Sequence, residues 1–87
     1  MSPITHVVKR NGTLVPFTPE RITNAIYRAA VAVGGRDRQT SEELAAQVVA
    51  LLEQNTSPGE SPSIEQIQDM VEKILIENGH ARVAKAY

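Results

Sequence analysis

VVKRNGTLVPFTPERI, from Val7 to Ile22, holds two structural signals back to back. Val7-Val8 and Thr13-Leu14-Val15 flank Asn11-Gly12, a pair that tolerates the positive φ angles of a tight hairpin turn. A two-residue type I′ turn there pairs Arg10 with Thr13, Lys9 with Leu14 and Val8 with Val15. That register sends Lys9 and Arg10 to opposite faces of the ribbon, so only one of them faces any single ligand. Directly afterwards Phe17-Thr18-Pro19-Glu20-Arg21-Ile22 opens a helix. Thr18 is placed as N-cap, Pro19 at the first helical position, and Phe17 to staple onto Ile22. A hairpin running straight into a capped helix predicts an α+β fold.

The chain beyond this stretch reads as helices. Ile22, Ala25, Ile26, Ala29, Ala30 and Val33 share one helical face, and Gly34-Gly35 closes the helix. A second helix is expected from Thr40, with Glu43 completing a capping box, Leu44, Val48, Val49, Leu51 and Leu52 as its apolar face, and an end near Gln54. Asn55 to Pro62 is a polar surface loop. Ser63 with Gln66 then offers a capping box for a third helix, which carries Ile64, Ile67, Val71, Ile74 and Leu75 and ends at Asn78-Gly79. A fourth helix starts near His80, with Val83, Ala84 and Tyr87 at helical spacing. The expected architecture is a small β-hairpin, or a three-stranded sheet if one extra short strand joins it, capping a bundle of three to four helices. Residues 1–87 make one domain, and with no stop signal before Tyr87 the chain reads as the N-terminal fragment of a longer protein.

Composition narrows the function. Aromatic residues are 3% of the 87, so the core must be built from Ile, Val, Leu and Ala. The absence of cysteine excludes a disulfide framework, a thiol nucleophile and a Cys-based zinc site within this sequence. No apolar run approaches the roughly 18 residues of a membrane span, and the default expectation is a soluble, cytoplasmic protein. Six of the nine Lys/Arg residues fall within 1–38 beside two acids, whereas eight of the ten acids fall within 39–77 beside one lysine. The basic third attracts an anion while the acidic middle repels a nucleic-acid backbone, which favours a small polyanion as ligand.

Lys9, Arg10 and Arg21 are the candidates for holding that anion, Arg21 lying in the first turn of a helix whose exposed N–H groups and dipole also favour negative charge. Val7, Val15, Ile22 and Ile26 could wall in a base while the cations hold phosphates by charge-assisted hydrogen bonds. On spacing alone the commoner meaning of these three cations is a bland one, a solubilised hairpin tip and an arginine stem lying over apolar surface, because basic residues near turns are common. No Walker A sequence and no GxGxxG is present. His6 and His80 stand far apart in sequence, which speaks against a metal site. Glu65, Asp69 and Glu72 share one side of the third helix and could hold a hydrated magnesium, although a solvated acidic face is the commoner meaning of such a pattern. No catalytic constellation emerges.

Val8-Lys9-Arg10-Asn11-Gly12, Phe17, Arg21-Ile22, Ala25-Ile26, Ile67-Gln68-Asp69, Val71-Glu72 and Val83-Ala84-Lys85-Ala86-Tyr87, in this order and spacing, resemble the ATP-cone, the adenine-nucleotide-binding regulatory domain found mainly at the N-terminus of ribonucleotide reductases. The resemblance covers essentially the whole chain and is nearest to adenosylcobalamin-dependent or anaerobic reductases. It implies a small sheet over a four-helix bundle, with ATP or dATP, with or without Mg2+, bound between them as allosteric ligand. Lys9, Arg10 and Arg21 match the family's phosphate-side positions. Val7, Val15, Thr18, Ile22 and Ile26 match positions lining base and sugar, and Ile64 and Gln68 match third-helix positions facing the same pocket. Asn11 departs from the more usual Asp, and the sequence stops before a basic residue that usually follows the AKAY-like segment, which would weaken phosphate binding. The implied function is control of overall reductase activity through subunit assembly, sustained by ATP and shut off by dATP, in a domain that itself catalyses nothing. The implied partners are adenine nucleotides and the rest of the reductase chain and its subunits, not nucleic acid or a membrane. Two other functions fit a cone. One is the nucleotide sensor of a repressor of reductase genes, disfavoured by the lack of cysteines for its zinc ribbon and by the start at Met1. The other is a degenerate cone serving only as a structural or interaction module.

Overall fold

Strands β1 (His6–Val8) and β2 (Leu14–Pro16) are followed by helices α1 (Pro19–Ala32), α2 (Arg38–Asn55), α3 (Ile64–Glu77) and α4 (Ala81–Ala86) in a computed structural model that describes residues 4–35, 37–57 and 59–87. The α+β class read from Val7 to Ile22 is the observed one. Pro58, within the polar loop that precedes α3, lies outside the described residues.

The hairpin forms in a different register from the one expected. His6 pairs with Pro16, Val7 with Val15 and Val8 with Leu14. The Gly12 N–H donates to the Lys9 carbonyl at 2.9 Å and the Lys9 N–H to the Thr13 carbonyl at 2.8 Å, so the loop is Arg10-Asn11-Gly12 and has three residues. A type I′ turn needs positive φ at both central positions. Among the described residues every positive φ belongs to a glycine, Gly12 at 85° included, so Asn11 does not take the left-handed conformation. Its side chain does something else: Oδ1 accepts the Thr13 N–H at 3.0 Å. That local bond fixes the three-residue loop, a role an Asp carboxylate would fill equally well. The corrected register puts Val7 and Val15 opposite each other on the face toward the helices, Val7 buried and Val15 half-buried, and leaves Leu14 on the other face at 56% exposure.

The extra strand is reduced to a single bridge among the described residues. Val8 bridges Ser63 in parallel fashion, and its N–H donates to the carbonyl of buried Pro62 at 2.9 Å. The hairpin is thereby tied to the residue that caps α3.

The helix ends follow their capping residues. Thr18 is the N-cap of α1 with Pro19 in the first turn, but the Thr18 side chain makes no capping hydrogen bond. At the other end Gly34, at φ 95°, and Gly35 donate back to the carbonyls of Val31 and Ala30 at 3.1 and 2.7 Å. Helix α2 starts two residues before the expected Thr40, because Asp37 takes the N-cap role. The Asp37 carboxylate accepts from the Gln39 and Thr40 N–H groups at 3.0 and 3.4 Å and from the Thr40 hydroxyl at 2.7 Å. Thr40 is therefore a donor inside the first turn rather than the cap, and its bonds hold the Asp37 carboxyl below the usual range. Ser63 and Gln66 form the expected capping box of α3, at 3.1 and 2.8 Å.

Ile22 and Ile26 of α1, Leu44, Ala45, Val48 and Leu52 of α2, and Ile67, Val71, Ile74 and Leu75 of α3 form the core, with Val7 closing it from the hairpin. Helix α2 packs on both α1 and α3, and α4 lies against α1 and α3 with Val83 and Ala84 half-buried. No described helix is long and apolar enough to cross a membrane.

Candidate functional site: a cleft between the hairpin and helices α1 and α3

Between the inner face of the hairpin, the start of α1 and the start of α3 lies a cleft of about 160 Å³. Its apolar walls come from four elements. Val7 and Val15 form the hairpin side, Ile22 the α1 side, and Ile64 and Ile67 the α3 side. Phe17 and Pro16, in the link from β2 to α1, and Tyr87, after α4, complete them.

Polar groups sit at the rim. Lys9 follows β1 on the same side as Val7, and Arg21 projects from the first turn of α1 next to Thr18. Gln68 stands one helical turn beyond Ile64. Among the described residues neither Lys9 nor Arg21 is ion-paired. Thr18 contributes a hydroxyl that is not committed to capping the helix. Two cations without partners, beside a helix N-terminus whose side-chain cap is unformed, make this rim attractive to an anion.

The structure thus brings together eight of the ten residues singled out in the sequence: Val7, Lys9, Val15, Thr18, Arg21, Ile22, Ile64 and Gln68. Two lie elsewhere. Ile26 is 1% exposed in the core beneath the cleft and does not line it. Arg10, at the turn, points to α3, with its Nε 3.3 Å from Glu65 Oε1 and an Nη donating to Gln68 Oε1 at 3.3 Å. It lines a shallower depression beyond the rim, shared with Lys9, Asn11, Ile64 and Gln68. Pro16, Phe17, Ile67 and Tyr87 line the cleft without having been singled out for it. Phe17 and Ile67 were legible only as packing residues, and Tyr87 only as the last position of an apolar stripe.

At about 160 Å³ the cleft is smaller than the roughly 300 Å³ at which drug-sized pockets begin, room for a flat group rather than a whole nucleotide. Anything larger bound there must extend past the rim, toward Lys9 and Arg10 or over Gln68. Among the described residues no three His, Cys, Asp or Glu side chains converge.

A family model for the ATP cone domain matches residues 5–87. The chain belongs to the ATP cone domain family. The cone is 47% identical over 73 residues to a vitamin B12-dependent ribonucleoside-diphosphate reductase of Thermoplasma acidophilum, covering 84% of this chain and 9% of that protein. It is 37% identical over 82 residues to an anaerobic ribonucleoside-triphosphate reductase of Salmonella typhimurium, covering 94% of this chain and 11% of the relative. It is also 37% identical over 89 residues to the alpha subunit of a ribonucleoside-diphosphate reductase of Chlamydia muridarum, covering 93% and 8%. The cone spans about a tenth of the length of these curated relatives. They include the two reductase classes, B12-dependent and anaerobic, that the sequence resembled most.

Proposed function

We propose that this cone is an allosteric regulatory domain that binds ATP or dATP in the cleft under its hairpin and so controls the activity of a ribonucleotide reductase. The observation that carries the reading is the pairing of an apolar slot with the unpaired cations Lys9 and Arg21 at its rim. The slot suits a base, and the rim suits the phosphates that follow it. Val7, Val15, Ile22 and Ile64 face the base, Thr18 and Gln68 border the sugar, and Lys9 and Arg21 take phosphate oxygens. Arg10 joins them by leaving Glu65 for a phosphate, an exchange that costs little because an exposed ion pair is worth no more than about 1 kcal/mol. Membership of the ATP cone domain family and the reductase relatives support the same reading.

Regulation requires more than binding. A nucleotide shifts an equilibrium between two assembly states only if it binds one of them better, so ATP and dATP must differ in affinity, bound geometry or stoichiometry. The domain acts in this reading as the N-terminal part of a reductase chain, and it is the contacts of that chain with its subunits that the nucleotide changes. Magnesium, where it accompanies the triphosphate, is held by the phosphates and water rather than by a protein cage.

The test is calorimetric titration of the chain with ATP, dATP and GTP, with and without magnesium, alongside sedimentation. Saturable binding selective for adenine is expected, with association in the presence of dATP. A folded chain that binds none of the three overturns the reading.

A further inference from the structure

The chain has three aromatic side chains, Phe17, Tyr27 and Tyr87, and two of them line the same cleft. Tyr27 is employed elsewhere, with the guanidinium of Arg38 5.5 Å from its ring centroid. Phe17, partly buried, packs against the core. Tyr87 has no comparable structural duty. It is 38% exposed, it follows the last turn of α4, and its backbone N–H is satisfied by the Val83 carbonyl at 2.9 Å. Tyr87 also borders a second, wider depression, shared with Ala25, Arg28, Ala29, Ala32, Gln68 and Ala86. A large planar side chain lining a slot whose other walls include Val7, Val15, Ile22 and Ile64 is suited to stack a flat π-system.

Resting on the nucleotide reading above, we propose that Tyr87 contacts the base directly, its ring forming the wall on which adenine stacks, and that this contact is how occupancy of the cleft is felt by α4. Lys9 and Arg21 then supply attraction for any polyphosphate, whereas Tyr87 supplies selectivity for the presence of a base. Among the described residues none of α4 itself lines the cleft, so a base that presses on or draws in the Tyr87 ring bears on the short helix only through the residue that follows it.

The chain lacks tryptophan, so a Tyr27→Phe variant reports Tyr87 alone by its intrinsic fluorescence. ATP is expected to quench that emission saturably, while inorganic tripolyphosphate, which has no base, binds without quenching. Unquenched emission at a calorimetrically saturating ATP concentration overturns the proposal and leaves the nucleotide reading standing. A chain that calorimetry shows not to bind ATP overturns both. As a second variant, Tyr87→Leu should weaken ATP between about 5-fold and about 150-fold, the range of a lost base–aromatic stack, and leave tripolyphosphate affinity unchanged. Tyr87→Phe should keep ATP affinity near that of the parent. Equal losses for ATP and tripolyphosphate in Tyr87→Leu would mean a structural role only and would also overturn the assignment.

Discussion

Lys9 and Arg21 differ from Arg10 in what they must give up to hold a phosphate. Among the described residues neither is ion-paired, whereas Arg10 would have to leave Glu65 and Gln68. Truncating either unpaired cation to alanine therefore removes a charge-assisted hydrogen bond with no compensating release, and Lys9→Ala or Arg21→Ala should weaken ATP about 10- to 150-fold in calorimetry. Both variants should melt at the parent's temperature, because both side chains are exposed. Ile26→Ala should do the reverse: at 1% exposure it is a core truncation, expected to cost about 2 to 5 kcal/mol in denaturant unfolding. Any loss of affinity it shows should disappear once the fraction folded is taken into account. Tyr87 carries a pH signature of its own. Partial burial raises its phenol above the ordinary 10.0, so the folded chain holds the proton longer than the unfolded one. Its contribution to stability is intact below pH 10.0 and is lost as the pH climbs through the raised value. Ultraviolet titration of Tyr27→Phe should show one phenol ionising above the ordinary range, and its removal in Tyr87→Phe should flatten that part of the stability profile.

Elements were more legible than their joins. The apolar stripe from Ile22 to Val33 and the capping box of Ser63 with Gln66 each have a local cause, a periodicity or a reciprocal pair of hydrogen bonds, and each appears as read. The hairpin register and the start of α2 were misread where two residues competed for one job. Asn11 could have adopted a left-handed backbone or accepted a hydrogen bond from Thr13, and it does the second. Asp37 and Thr40 could each have capped α2, and the carboxylate prevails because it accepts from both Thr40 donors as well as from Gln39. The candidate site was legible where the cations and the apolar face of each element carried it. Ile26 was assigned one layer too high, since periodicity tells which face is buried but not how deeply. That Lys9 and Arg10 part company was legible, but which of them borders the cleft was not, until Arg10 is seen turned to Glu65 and Gln68. Ser63 repays a test at this scale, since it caps α3 and adjoins the backbone tie from hairpin to helix bundle. Ser63→Ala should cost about 1 kcal/mol in chemical denaturation, the usual loss for an N-cap.

The molecule joins its first residues to its middle across the cleft. Helices α1, α2 and α3 each pack on a neighbour in sequence, while the hairpin's backbone is fastened where Val8 meets Pro62 and Ser63. That division has a kinetic reading. Contacts between sequence neighbours close short loops and form early, whereas the meeting of Val8 with Pro62 waits on the closure of a loop that contains two whole helices. The helical scaffold should collapse first and the ribbon should land on it last. In stopped-flow measurements, Leu44→Ala is expected to slow folding, with a φ-value above about 0.5, and Val7→Ala chiefly to speed unfolding, with a φ-value below about 0.3. A landing that comes last on the way in is also the first to lift on the way out. The ligand cleft is then absent from the folding transition state, and a nucleotide added to the chain should lengthen its lifetime against unfolding without hastening its birth.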